Sequence, residues 1–212
     1  MRLSVNLFMS LDGVCQGPGG PDEDTRGGFD RGGWLLPHFD DGCGAAVGEW
    51  FERATALLLG RYTYDAFAGH WPHVTDPGDQ VAATLNGSHK YVVSSSPAGD
   101  AWADTTTVLG GDFLDRVRAL KAQDGDELQV HGSVRLARTL HEAGLVDVYR
   151  LLVAPAVVGA GARLFGADGP AGSFVVSRGA VTSSGVTSLV LEPRDFVIAT
   201  ATVEDGRDSV RD

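Results

Sequence analysis

Hydrophobic and polar positions alternate in short blocks along the chain. Arg2–Phe8 (RLSVNLF) sets Leu3, Val5 and Leu7 against Ser4 and Asn6, the period of a strand. Ala45–Ala56 carries Val47, Trp50, Phe51 and Ala54 at helical spacing, and Ala56–Leu59 follows as a short apolar strand. A glycine turn at Gly60 then opens a helix over Thr63–Ala68. Gln80–Leu85 predicts one or two helical turns, and His89–Val93 and Thr105–Leu109 predict strands. Asp112–Ala122 reads as an amphipathic helix, with Phe113, Leu114, Val117 and Leu120 on one face.

Leu128–Pro155 organises the rest. It reads as a strand (Leu128–His131), a tight turn at Gly132-Ser133, a helix (Val134–Ala143) and a second strand (Val146–Ala154). After it come Ser173–Thr182 and Val186–Leu191. The latter, with Val197–Val203, alternates as an antiparallel terminal hairpin would, and the charged tail 204–212 is expected to fray. The element order predicts a three-layer α/β/α sandwich in one domain over residues 1–203. Its sheet would be mostly parallel with an antiparallel C-terminal edge. No internal repeat and no linker divides the chain.

Residues 13–45 break the rhythm with ten glycines and three prolines. A plain connection in a compact domain is shorter, so the segment reads as a flap or an insertion. Phe29, Trp34, Leu35, Leu36, Pro37 and Phe39 favour a partly ordered flap, because a solvated linker has no use for them.

Composition changes the picture mainly by exclusion. Over 212 residues the formal net charge is -11, which speaks against nucleic acid or an anionic membrane as partner. No apolar run approaches the roughly 20 residues of a spanning helix. The first residues read as a strand rather than a signal peptide. Cys15 and Cys43 have no CxxC spacing, and His70, His73, His89, His131 and His141 form no metal-ligand motif, so no metal is expected. A reducing cytoplasm fits this cysteine usage.

Three strand ends carry small polar residues: Gly60-Arg61-Tyr62-Thr63, Ser94-Ser95-Ser96 and Gly132-Ser133-Val134. In open α/β sheets ligands bind outside the carboxyl ends of the strands, where helix N-termini favour anions. Each signal taken singly reads as well as an ordinary turn, a surface arginine or a polar loop; their co-occurrence suggests a phosphate-bearing ligand. His131 lines such a pocket or is a structural histidine. Gly159-Ala160-Gly161 lacks the spacing and context of a dinucleotide fingerprint. No GxSxG elbow surrounds a serine. Asp12 and Asp41, with Asp40 and Glu49, are candidate proton donors, each also readable as a solvated acid.

MSLDG (Met9–Gly13), LLLGRYTYDAF, KYVVSSS and VHGSVRLARTLHEAGLVDVYRLLVAPAVVGAGARLF, in that order and spacing, resemble the dihydrofolate reductase-like superfamily. The resemblance is nearest to the branch holding the reductase domain of bacterial riboflavin biosynthesis, and covers roughly residues 1–200. It implies an NADPH-dependent reductase acting on C=N or C=O of a small, pyrimidinone- or pterin-like substrate, and we expect a homodimer. By resemblance, Gly60, Arg61 and Thr63 take adenosine-side phosphates, Ser94, Ser95 and Ser96 flank the 2′-phosphate, and Gly132, Ser133 and Val134 lie under the pyrophosphate; His131, beside that turn at its strand end, is the further cofactor-side candidate. Leu11, Asp12, Gly13 and Val14 would begin the mobile loop beside the nicotinamide. Pro155, Gly159 and Gly161 lie in a segment similar to the family's Pro-x-x-x-Gly-x-Gly loop, near the substrate side or the dimer interface, and Trp34 and Phe39 of the flap are the further substrate-side candidates. Val47 stands near the place of the acid that holds the pterin in folate reductases, and no zinc-binding deaminase motif is present. A non-catalytic ligand-binding protein on the same scaffold is the alternative.

Overall fold

In the computed structural model, which describes residues 1–204 and 207–211, eight strands form one sheet. In chain order the main elements are β1 (Arg2–Ser10), α1 (Asp41–Phe51), β2 (Ala54–Gly60), α2 (Arg61–Ala68), α3 (Gln80–Gly87), β3 (His89–Val93), β4 (Thr106–Leu109) and α4 (Phe113–Lys121). There follow β5 (Glu127–His131), α5 (Val134–Glu142), β6 (Val148–Ala154), β7 (Ser173–Val181), β8 (Thr187–Arg194), β9 (Thr200–Glu204) and β10 (Arg207–Arg211).

The sheet order is β4-β3-β2-β5-β1-β6-β8-β7. The first six strands run parallel, and β8 and β7 add the antiparallel edge. On one face Leu3, Val5, Leu58, Leu128 and Val130 pack against Val117 and Leu120 of α4 and Leu136, Ala137 and Leu140 of α5. On the other, Leu57, Leu59 and Val92 meet Phe51 of α1, Tyr64 of α2 and Leu85 of α3. Burial on both faces explains the unbroken apolar run of β2.

The alternation of β1 has a different cause. Ser4 and Asn6 are buried, not solvated. They belong to a polar column on the α1 face that crosses three strands. Arg150 in β6 forms a bidentate pair with Glu127 in β5, both bonds 2.7 Å, and donates to Asn6 Oδ1 at 3.2 Å. Gln129 Nε2 donates to Glu127 Oε2 (3.0 Å) and to the Trp50 carbonyl (2.6 Å). Burial alone would raise the Glu127 pKa, but the hydrogen bonds and charge of Arg150 bring it below the usual range.

Two expectations are corrected. The helix expected from Ala45 to Ala56 runs from Asp41 to Phe51, because the Asp40 side chain caps it by accepting from Cys43 N at 2.9 Å. The glycine-rich first turn masked this start. Val186–Leu191 does not pair with Val197–Val203: β8 lies between β6 and β7, joined to β7 by a turn where Gly185 has φ +85°. In the C-terminal tail β10 pairs antiparallel with β9, and residues 205, 206 and 212 lie outside the described residues.

Candidate cofactor and active site

The parallel neighbours β2 and β5 end side by side and run straight into α2 and α5. The two ends are tied together, since Gly60 N donates to Ser133 Oγ at 2.9 Å. Gly132 has φ +61°, and a Cβ there would lie 3.2 Å from Thr63 Cγ2, so the turn is built for glycine. Neither helix has a side-chain cap on its first turn. Val134 N donates to the Gly132 carbonyl at 2.9 Å, and the remaining first-turn N–H groups and positive ends of the two helices meet at one point.

A cavity of about 620 Å³ opens there. Of the residues expected at a cofactor or substrate site, Gly60, Arg61, Thr63, Gly132, Ser133, Val134 and Gly161 line it. So do Gln16, Arg26 and Arg135, which the sequence reading missed, and Tyr62, which it noted only as part of the Gly60–Thr63 strand end. Arg135 follows the glycine turn by three residues, so its place on the first turn of α5 was the signal available. Its side chain has no hydrogen-bond or ion-pair partner among the described residues.

The serine loop reaches the cavity only through Arg61. The Arg61 guanidinium binds Asp65 (2.8 Å), Ser96 Oγ (3.1 Å) and the Pro97 carbonyl. Ser94 Oγ accepts from Ser96 N, and Ser95 is exposed. None of the three serines lines the cavity.

His131 does not face the cavity. Side chains alternate across a strand, which turns it toward α1, where it stacks on Phe51 with ring centroids 4.3 Å apart. Its Nε2 bonds Gln129 Oε1 at 2.9 Å. Burial and then the Arg150 charge push its pKa down to about 3, so it is neutral.

Asp12 is no free acid. Its carboxylate accepts from Ser10 Oγ (2.7 Å), Val158 N (2.9 Å), Gly159 N (2.8 Å) and Arg163 Nη2 (3.1 Å). The Ser10 and backbone bonds hold its pKa well below the usual carboxylate range. It clasps the root of the flap to the loop after β6. Asp41 lies exposed in the first turn of α1 and outside the cavity.

The neighbours of Asp12 share that anchoring role. Leu11 is 65% exposed and bonds Ala156 through its backbone. Gly13 (φ +81°) lies against Arg163, and Val14 is buried with Phe29 and Val158. Of the residues expected near substrate, Gly159 is held by Asp12, Pro155 is exposed beside Gly185, and Phe39 meets Phe8 edge-on at 6.2 Å. The Trp34 indole donates to the Gln16 carbonyl at 2.8 Å. None of these lines the cavity.

Within the flap segment, Phe29 and Leu35 are buried. Among the described residues no cluster of His, Cys, Asp or Glu is placed to hold a metal, and no helix is long and apolar enough to cross a membrane.

The model of the RibD C-terminal domain matches residues 2–182, and the chain belongs to that family. It is 25% identical to the uncharacterized protein YyaP of Bacillus subtilis (strain 168) over 166 residues, covering 77% of this chain and 80% of YyaP. A putative riboflavin biosynthesis protein from Shewanella sp. PV-4 superposes with a TM-score of 0.65 at 21% identity, over 92% of this chain and 100% of the other. Dihydrofolate reductase from Enterococcus faecalis, complexed with NADP(H), gives 0.56 at 15% identity over 92% and 97%. The fold is thus that of the dihydrofolate reductase-like proteins.

Proposed function

We propose that the chain is an NADPH-dependent reductase that passes hydride to C=N or C=O of a small, pyrimidinone- or pterin-like molecule. One observation carries the reading: two parallel strand ends, joined by the Ser133–Gly60 bond, deliver two uncapped helix starts to a single cavity. Family membership supports it, as does the NADP(H) bound by the Enterococcus structural neighbour.

The residues present fit a dinucleotide. Gly132 lets the backbone come close, the helix starts offer N–H donors, and Arg135 brings an uncommitted cation. When bound, the cofactor supplies the hydride; the chain binds, orients and excludes water. Arg61 acts through the loop it braces, Ser96-Pro97, as well as by charge.

Titration of NADPH fluorescence tests this. Wild type should bind at micromolar NADPH, and Arg135→Ala should bind about tenfold more weakly, the worth of a charge-assisted bond. No binding by wild type refutes the reading. A second reading, ligand binding without chemistry, is favoured by the commitment of Asp12 to its clasp. NADPH binding with no consumption across pterins, pyrimidinones and reactive carbonyls would support it. We propose further that the working unit is a homodimer, supported by exposed Val175, Val176 and Val181 on edge strand β7. Sedimentation as a monomer would refute that.

A further inference from the structure

The flap extends past its own root to land on the cofactor half of the cavity. Gln16 braces its base: its side-chain amide donates to the carbonyls of Asp24 (3.1 Å) and Arg26 (2.9 Å), and its oxygen accepts from Ala162 N (3.0 Å). The far end meets Tyr62 on the first turn of α2. The Tyr62 hydroxyl donates to the Glu23 carbonyl at 2.5 Å, and the Arg26 guanidinium lies 3.7 Å over the Tyr62 ring.

The cavity therefore has the Gly132–Leu136 segment among its walls and the flap residues Arg26, Gly27 and Gly28 among the others. Arg26 gives Nε (2.7 Å) and Nη2 to Asp24, and its Nη1 has no partner among the described residues.

Between Gly17 and Phe29 no side chain is buried, so this part of the flap can lift without opening the core. Its ends are marked by buried Phe29 and by positive φ at Gly17 (+57°), Gly27 (+69°) and Gly28 (+76°). Such positions absorb the backbone rotation of a hinge.

We propose that Tyr62 is the latch of this flap. Its contacts with Glu23 and Arg26 close the flap over the cavity, and Arg26 is the flap-borne cation that faces the phosphates of the dinucleotide. The cofactor enters and leaves only while the latch is open. The inference rests on the assignment of the cavity to NADPH, but the latch itself has a cofactor-free readout.

Two measurements test it. Trypsin cleavage after Arg26 reports flap opening without cofactor, and stopped-flow fluorescence reports NADPH entry and exit. Tyr62→Leu removes ring and hydroxyl; both NADPH rate constants and the cleavage rate should rise about tenfold, the combined worth of one exposed cation–π contact and one hydrogen bond. Tyr62→Phe keeps the ring, and its rise should be about threefold. Arg26→Gln should speed NADPH exit and flatten the salt dependence of its Kd. Unchanged cleavage and unchanged rates in Tyr62→Leu, with native circular dichroism, overturn the latch. Failure of wild type to bind NADPH overturns the cofactor reading instead, and the cleavage comparison still decides on the latch.

Discussion

The Ser133 hydroxyl accepts the backbone N–H of Gly60 across 73 residues of sequence, at 2.9 Å. This one bond fixes the spacing of the two strand ends that form the floor of the cavity. Ser133→Ala removes the acceptor of that part-buried amide and should cost about 0.5–1.5 kcal/mol, the net worth of one hydrogen bond. Urea unfolding measures the loss. NADPH affinity should fall with it, and Ser133→Thr should restore part of both.

The Gly132 turn predicts a paired substitution. Gly132→Ala places a Cβ at φ +61° and 3.2 Å from Thr63 Cγ2. Strain at positive φ and the contact together should destabilise by about 1–3 kcal/mol. Thr63→Ser removes the struck methyl, so the double variant should recover the steric part and not the backbone part. A thermal-melt cycle over the four proteins reads the coupling.

The Asp12 clasp sets an acid limit on stability. Its folded pKa lies below its unfolded value, so its contribution is present above pH ~4 and is lost as pH falls toward the folded pKa. Urea unfolding at pH 7, 5 and 3 should show wild type losing stability below pH ~4. Asp12→Asn should be less stable at pH 7 and should respond less to acid. A parallel decline of both proteins would contradict the clasp.

The pair Glu127–Arg150 should behave as a unit. Arg150→Met leaves the buried Glu127 carboxylate still held by Arg53 Nε (2.9 Å) and Gln129 Nε2 (3.0 Å), so it should cost about 3 kcal/mol, the low end for a broken buried pair. Glu127→Leu combined with Arg150→Met removes both charges, and most of that loss should return. Chemical denaturation of the single and double variants decides it.

These cases also show what a sequence can convey. The blocks ALLL, HKYVV and LQVH read as strands because burial makes local pattern and tertiary fate agree. The turn Gly132-Ser133 was legible because only glycine suits its dihedral. His131 misled because a residue beside a turn can face either side of the sheet, and the partner that claims it, Phe51, lies 80 positions away in sequence. Asp12 looked like a proton donor because nothing local reveals Val158, Gly159 and Arg163 closing on its carboxylate. The pairing of Arg26 with Tyr62 was invisible for the same reason, since it exists only once the flap has folded back onto α2.

The polar column bears on assembly order. Asn6 in the N-terminal strand finds its Arg150 partner 144 residues downstream, and β1 lies between β5 and β6 with no neighbour from the first half of the chain. Until that distant half arrives, Ser4 and Asn6 have no place to hide from water. Pairings of such long sequence separation fold slowly. The first strand of the chain thus waits for both of its neighbours to come from the second half.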